Sequence, residues 1–176
     1  MNPAEFPPMD PRLEQAVNEL KGEEVQPRID PEIHLKLEAS IPEEYVPDPH
    51  QRMSLYKRLS RASEPAEIDE IEEEMVDLYG RNPNQVADLV QIMRIRLMMK
   101  KIRVMRLDYD GKELIFSFDP STPINPTTLI SWAQKDPAIR LIPGDRLAYR
   151  VGNLTPITRI QKSFEVVTNL DKAVSA

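Results

Sequence analysis

The sequence predicts an α+β fold: one compact domain of amphipathic helices packed on short, largely antiparallel strands, preceded by an N-terminal arm. Apolar residues recur at helical spacing in several segments, and shorter segments between them alternate apolar and polar residues. Two tight-turn signals, Asp110-Gly111 and Pro143-Gly144-Asp145, each lie between two such strands. Mixed helices and turn-linked strands favour α+β over a parallel sheet, and 176 residues suit one domain.

The first 30 residues are predicted to form the arm, ahead of a main domain at 31–176. Proline removes a hydrogen-bond donor, so the four prolines in the first eleven residues predict a disordered lead-in. A short helix from Arg12 to Lys21 follows, with Gly22 as its stop and a linker from Glu23 to Pro31.

The main domain opens with a predicted half-buried strand whose apolar positions are Ile33, Leu35, Leu37 and Ala39. A stiff loop punctuated by Pro42, Pro47 and Pro49 leads into a helix. The predicted apolar face of that helix contains Met53, Leu55, Tyr56 and Leu59.

An unusually acidic helix is predicted next, in the stretch EPAEIDEIEEEMVDLYG from Glu64 to Gly80, which carries eight carboxylates and no Lys or Arg. Its predicted apolar stripe is Ile68, Ile71, Met75 and Leu78. An acidic stripe lies beside it: Glu67, Glu70, Glu74 and Asp77. Gly80 is predicted to end the helix as a left-handed cap, and Asn82 to cap the following helix before Pro83.

The helix that follows Pro83 is predicted to run to about Lys101, with its inward residues Val86, Leu89, Val90, Met93, Leu97 and Met98. Past Asp88 the charge changes sign, and no acid occurs before Asp108. The basic segment consists of Arg94, Arg96, Lys100, Lys101, Arg103 and Arg106.

The last third of the chain predicts two hairpins and two helices. IRVMRLDY and KELIFSF form the first hairpin around Asp110-Gly111, and AIRLIP and RLAYRV form the second. Between them Asn125-Pro126 begins a short helix carrying Leu129, Ile130 and Trp132. The final helix begins near Pro156, with one apolar face of Ile160, Phe164, Val167, Leu170 and Val174.

Composition excludes several classes of protein. A net charge of −6 argues against generic nucleic-acid binding, which requires a basic surface. The absence of Cys excludes disulfides, iron–sulfur clusters and cysteine-based zinc sites. No apolar segment reaches the ~18–20 residues that span a bilayer, and no signal peptide opens the chain. We therefore expect a soluble, cytoplasmic protein with no membrane association.

No enzyme motif is present in the sequence. With five glycines the chain has no phosphate-binding loop of either common type and no nucleophile-elbow motif. His34 and His50 stand alone, as structural histidines usually do. We therefore predict no catalytic residue, no cofactor and no metal site.

Three interpretations of the acidic helix are open on residues alone: a solvated face, a carboxylate metal site, or a surface for a basic partner. No His supports the carboxylates as a metal site. Glu74 and Asp77 lie in the last turns, where the helix dipole disfavours negative charge and like-charged neighbours repel. The basic segment is equally open: it can be solvated, pair with the acidic helix, contact a protein, or bind nucleic acid through Arg94, Arg96, Lys100, Lys101 and Arg103.

Three stretches together resemble one family: ELKGEE, IPEEYVPDPHQRMSLYKRLS, and EIDEIEEEMVDLYGRNPNQVADLVQIMRIRLMMKKI. They are similar to the C-terminal (TRCF) domain of the bacterial transcription-repair coupling factor, Mfd, from about Glu14 to Val151. The resemblance is most specific in the proline-rich loop, the YKRL helix and the acidic-helix, Gly, Pro, long-helix succession.

The resemblance implies a regulatory role within a larger protein. The whole factor is an ATP-dependent DNA translocase that removes stalled RNA polymerase and recruits UvrA for nucleotide excision repair, and its motor lies upstream. Its C-terminal domain docks on a UvrB-like module of the same protein and covers the UvrA-binding surface. Carried over by the motif that ends at Gly80, the docking carboxylates are Glu74 and Asp77, with Glu70 on the same stripe. This fragment is expected to be a monomer, to lack ATPase activity and to bind DNA weakly at most.

Overall fold

The computed structural model describes residues 10–20 and 27–174, and contains six helices and five strands in that part of the chain. Most of the predicted lead-in, the Gly22 stop and much of the linker lie outside the described residues. The helices are α1 (Pro11–Leu20), α2 (Pro49–Arg61), α3 (Pro65–Tyr79), α4 (Asn84–Ile102), α5 (Pro126–Lys135) and α6 (Pro156–Lys172). The strands are β1 (Glu32–His34), β2 (Val104–Tyr109), β3 (Glu113–Phe118), β4 (Ile139–Ile142) and β5 (Arg146–Arg150).

The five strands form one sheet in the order β1-β2-β3-β5-β4. β1 pairs with β2 in parallel, and the other three pairings are antiparallel. Both predicted hairpins are present, and Gly111 has the positive φ of 101° that its tight turn requires. The prediction of an α+β domain with largely antiparallel strands is confirmed.

The first strand is shorter than the alternation from Ile33 to Ala39 predicted. It ends at His34, and Lys36 adopts a left-handed backbone with φ of 53°. That conformation ends the extended run, because consecutive side chains no longer alternate between two faces. Leu35 nevertheless packs in the core, at 3% exposure.

Two hydrophobic clusters lie on opposite sides of α4. The first cluster packs on Val86, Leu89 and Val90 of α4. Its other residues come from the loop before α2, from α2 and from α3. The second, from the sheet together with α5 and α6, packs on Ile95, Met99 and Ile102. The predicted inward stripe of α4 is therefore incomplete, because a helix between two clusters is apolar on more than one face.

Several predicted core positions are wrong. Met53 is 56% exposed, Leu78 65% and Phe164 40%. Leu78 and Phe164 lie at helical spacing with buried residues of their helices, whereas Met53 lies two and six positions from the buried Leu55 and Leu59. Spacing predicts which face of a helix is buried, but it does not predict how wide the contact is.

Two caps near the end of α3 also differ from prediction. Gly80 has a positive φ of 86°, but its ψ of −167° lies outside the left-handed helical region. Asn82 does not cap α4, which begins at Asn84 after Pro83. The Asn82 side chain instead contacts the Tyr45 hydroxyl and the Glu72 carboxylate.

Candidate functional site

The acidic helix α3 begins with a local hydrogen-bonded box that engages one of its carboxylates. Pro65 is its first residue, and Glu67 accepts from the Ser63 backbone N–H at 2.9 Å and from the Ser63 hydroxyl at 3.1 Å. A carboxylate at this end is also favoured by the helix dipole. Glu67 therefore has a structural role, although it belongs to the predicted acidic stripe.

Two further carboxylates of α3 face α4 and bind its first arginine. Arg94 donates to Asp69 at 2.8 Å and to Glu72 at 2.7 Å. Burial alone would lower the pKa of Arg94. Its hydrogen bonds to the two acids outweigh burial, so the pKa is raised overall. The acidic helix and the basic segment thus pair within the fold at this point, one of the alternatives that the sequence left open.

Glu74 forms a bidentate ion pair with Arg58 of α2. The two Nη–Oε distances are 3.0 and 2.5 Å, and both side chains remain about two-fifths exposed. The hydrogen bond from Arg58 lowers the pKa of Glu74. One of the two predicted docking carboxylates therefore already holds a cation of its own domain.

Three carboxylates of α3 project into solvent: Glu70, Glu73 and Asp77. Each is exposed, and none makes a hydrogen bond or ion pair within residues 10–20 and 27–174. Glu70, Glu73, Glu74, Asp77 and Leu78 line a shallow depression on the outer side of the helix. Val76 and Leu78 are exposed beside the carboxylates, at 42% and 65%. The outer surface of α3 therefore combines unpaired negative charge with apolar area.

The loop before α2 fixes the end of this surface. The buried Tyr45 hydroxyl lies 3.0 Å from the Met75 carbonyl oxygen, 2.8 Å from that of Gly80 and 2.7 Å from Asn82 Oδ1. The Tyr45 ring packs edge-on against Tyr79 with ring centroids 5.7 Å apart. These contacts of Tyr45 fix the last turn of α3, which carries Asp77.

The basic segment is occupied by internal contacts along its whole length. Arg96 donates to the Pro31 and Ser60 carbonyl oxygens and pairs with Asp30. The remaining contacts are Lys100 with the Ser60 carbonyl oxygen, Lys101 with Asp171, Arg103 with Asp119 and the Pro27 carbonyl oxygen, and Arg106 with Asp108 and Glu32. Nucleic-acid binding by this segment stays a prediction, and no contact in the structure favours it.

The structure brings Glu70, Glu74 and Asp77 to one side of α3, as the acidic stripe predicted. Reasoning from the sequence missed Glu73, Val76 and Leu78, which share the exposed surface. A helical projection centred on the buried residues Ile68, Ile71 and Met75 would have found Glu73 and Val76, but it leaves Leu78 at the edge of the buried stripe. Within the described residues no group of three or more His, Asp or Glu side chains is arranged to hold a metal ion. No described helix is long and apolar enough to cross a membrane.

The chain folds as a small α+β domain with an exposed acidic surface on α3. The sequence model of the TRCF domain matches residues 35–129. The chain therefore belongs to the TRCF domain family.

Named relatives agree with this assignment. The chain is 32% identical over 139 residues to the transcription-repair-coupling factor of Myxococcus xanthus, covering 78% of the chain and 12% of that protein. It is 30% identical over 131 residues to that of Escherichia coli (strain K12), covering 71% and 11%. The chain thus spans about a tenth of the length of these relatives.

A solved structure has the same fold. The crystal structure of the C-terminal domain of transcription-repair coupling factor superimposes with a TM-score of 0.67 at 20% identity. The match covers 82% of this chain and 95% of that structure. This chain therefore has the fold of that solved C-terminal domain.

Proposed function

We propose that this chain is the C-terminal regulatory domain of a transcription-repair coupling factor and acts as an autoinhibitory clamp. The parent protein would be an ATP-dependent DNA translocase that removes stalled RNA polymerase and recruits UvrA for nucleotide excision repair in the cytoplasm. In the closed state the outer surface of α3 docks on arginines of the UvrB-like module of the same protein. UvrA is then excluded from that module.

The unpaired carboxylates of α3 carry this proposal. Glu70, Glu73 and Asp77 are exposed and have no partner within the described residues, whereas Glu67, Asp69, Glu72 and Glu74 all have one. Like charges at this spacing repel, and Asp77 lies at the unfavourable end of the helix dipole. A basic partner removes both penalties, and Val76 and Leu78 add apolar contact to its docking.

Weak contacts suit a clamp that must open. An exposed ion pair contributes only about 0.2–1 kcal/mol, so a few pairs do not lock a domain by affinity alone. Tethering within one protein raises the effective concentration to roughly millimolar, which keeps a weak contact mostly closed. By linkage, a ligand that opens the clamp strengthens UvrA binding by the same factor by which UvrA strengthens the binding of that ligand.

Arg58 adds a condition on the role of Glu74. Because Arg58 already binds both oxygens of Glu74, a docking arginine must share that carboxylate or displace Arg58. Asp77 and Glu70 have no such competitor within the described chain, so they are the better carboxylates to test.

Reversing the charge of the free carboxylates tests the clamp. We expect Glu70→Arg with Asp77→Arg to abolish binding of this domain to the isolated UvrB-like module in titration calorimetry at low salt, because attraction becomes repulsion. Glu74→Arg with Asp77→Arg is expected to do the same.

The matched control is Glu43→Arg with Glu44→Arg, an equal change of charge at two exposed residues of the loop before α2. This control should bind like the unmodified domain. Equal affinity of the unmodified domain and the Glu70/Asp77 variant would contradict the α3 assignment, and loss of binding in the control would show only a dependence on net charge.

A further inference from the structure

The sheet has one face that no described helix covers. Leu107 and Tyr109 of β2, Leu114, Phe116 and Phe118 of β3, and Leu147 of β5 pack in the cluster with α4 and α6. Their neighbours in sequence point the other way, because side chains alternate along a strand. We call this second side the open face. It consists of Glu32, His34, Arg106, Asp108, Glu113, Ile115, Ser117, Arg140, Ile142, Arg146, Ala148 and Arg150.

The strand register places three arginines together at one end of the open face. Arg146 and Arg150 flank Ala148 on β5, and Arg140 of β4 lies directly opposite Ala148. All three arginines are exposed, while Ala148 is buried beneath its neighbours. We call this group the arginine triad. In a chain with a net charge of −6 it is a local excess of positive charge.

Few acidic side chains of the domain neutralise the positive charge of the triad. The Arg150 side chain makes no hydrogen bond or ion pair with the described residues. Arg146 donates only to the Pro143 carbonyl oxygen in its own turn, at 3.3 and 3.2 Å. Arg140 contacts both oxygens of Glu113, at 2.9 and 3.0 Å, which leaves three guanidinium groups beside a single carboxylate.

The spacing of the triad matches a row of carboxylates on a helix. Four residues along a strand separate Arg146 from Arg150 by about 13 Å, with Arg140 about halfway between them. Acidic residues at every fourth position of a helix lie about 6 Å apart, so three of them span about 12 Å. Guanidinium groups can bind carboxylates through two parallel N–H···O bonds, so each arginine of the triad can hold one carboxylate of such a row.

We propose that the arginine triad is a docking surface for an acidic helical segment of a partner protein. It lies on the sheet and involves no residue of α3, so it is independent of the clamp proposed above. The partner segment carries carboxylates at every fourth position and lies along β5, with the partly exposed Ile115 beneath it.

The open face is less suited to nucleic acid, the other polyanion with similar charge spacing. It carries no Phe, Tyr or Trp side chain on which a base could stack. The acids Glu32 and Asp108 lie on β1 and β2, farther along the face from the triad, and repel a long phosphate backbone. A short acidic segment can end before it reaches them.

The test uses the whole chain and a fluorescent alanine-based helical peptide with Glu at every fourth position, titrated by anisotropy at low and physiological salt. We expect the peptide to bind at low salt, and Arg146→Glu with Arg150→Glu to weaken that binding about tenfold or more. Arg150→Glu alone should weaken it by a smaller factor. Because Glu113 lies directly opposite Arg150, Arg150→Gln, which adds no like charge there, is the single variant expected to unfold at the same temperature as the unmodified chain.

The matched control is Lys57→Glu with Arg61→Glu, the same change of charge at two exposed residues of α2 without side-chain partners in the described chain. Its peptide affinity should equal that of the unmodified protein. The proposal is overturned if the peptide does not bind at low salt, or if both double variants lose affinity equally. It is also overturned if a duplex oligonucleotide binds more tightly than the peptide and loses affinity in the triad variant.

Discussion

At the scale of single residues, Asp119 joins three parts of the chain beyond the end of β3. Its carboxylate accepts from the Ser121 backbone N–H at 2.9 Å, from the Ser121 hydroxyl, and from Arg103 Nε at 3.4 Å. Arg103 in turn donates to the Pro27 carbonyl oxygen at 2.8 Å. The hydrogen bonds from Ser121, helped by the charge of Arg103, lower the pKa of Asp119 below its ordinary value of 3.8.

This lowered pKa predicts how stability depends on pH. A carboxyl whose pKa is lower when folded stabilises the fold above its unfolded pKa, and loses that contribution as pH falls through the folded pKa. We expect Asp119→Asn to lower the free energy of unfolding by about 1–2 kcal/mol at neutral pH. The difference from the unmodified protein should shrink below about pH 4.

Urea unfolding at neutral and acidic pH measures this effect. Asp77→Asn is the control, because its exposed carboxylate has no partner in the described chain and its change should stay within about 0.5 kcal/mol. An Asp119→Asn deficit that persisted undiminished in acid would show that geometry, rather than charge, accounts for the role of Asp119.

At the scale of elements, the loop before α2 and the end of α3 depend on each other through Tyr45. Its hydroxyl is within hydrogen-bonding distance of the Met75 and Gly80 carbonyl oxygens and of Asn82. We expect Tyr45→Phe to lower the free energy of unfolding by about 1–3 kcal/mol, because buried acceptors lose their donor.

Tyr79→Phe is the control for that variant, since Tyr79 shares the ring contact but its hydroxyl makes no hydrogen bond with the described residues. Chemical denaturation of the two variants and the parent gives the comparison. Equal stabilities for Tyr45→Phe and Tyr79→Phe would contradict the role given to the Tyr45 hydroxyl.

Element boundaries were largely predictable because their signals are local. Pro65 and Gly80 bracket α3, and Asp110-Gly111 joins β2 to β3, as the sequence indicated. The partners of charged residues were not predictable in the same way. Arg58 reaches Glu74 from 16 positions away through the packing of α2 on α3, and no spacing rule along one helix contains that contact.

At the scale of the whole molecule, the arginine triad could not be predicted because it depends on the strand order. Arg140, Arg146 and Arg150 alternate with apolar residues in two hairpin strands, which predicts a shared face for them but not whether helices cover that face. Only the placement of α4, α5 and α6 on one side of the sheet exposes it. The parallel pairing of β1 with β2 is a nonlocal feature of the same kind.

The sharing of α4 by both hydrophobic clusters predicts one cooperative unfolding transition. Val90 is fully buried in the cluster with α2 and α3, whereas the single Trp, Trp132, packs against the sheet cluster. We expect Val90→Ala to cost about 2 kcal/mol and to shift the Trp132 fluorescence and far-UV circular dichroism transitions together. Met99→Ala, on the other side of α4, should shift both by about 2–5 kcal/mol, and the exposed Ser54→Ala should shift neither. A Trp132 transition unmoved by Val90→Ala would mean that the two clusters unfold independently.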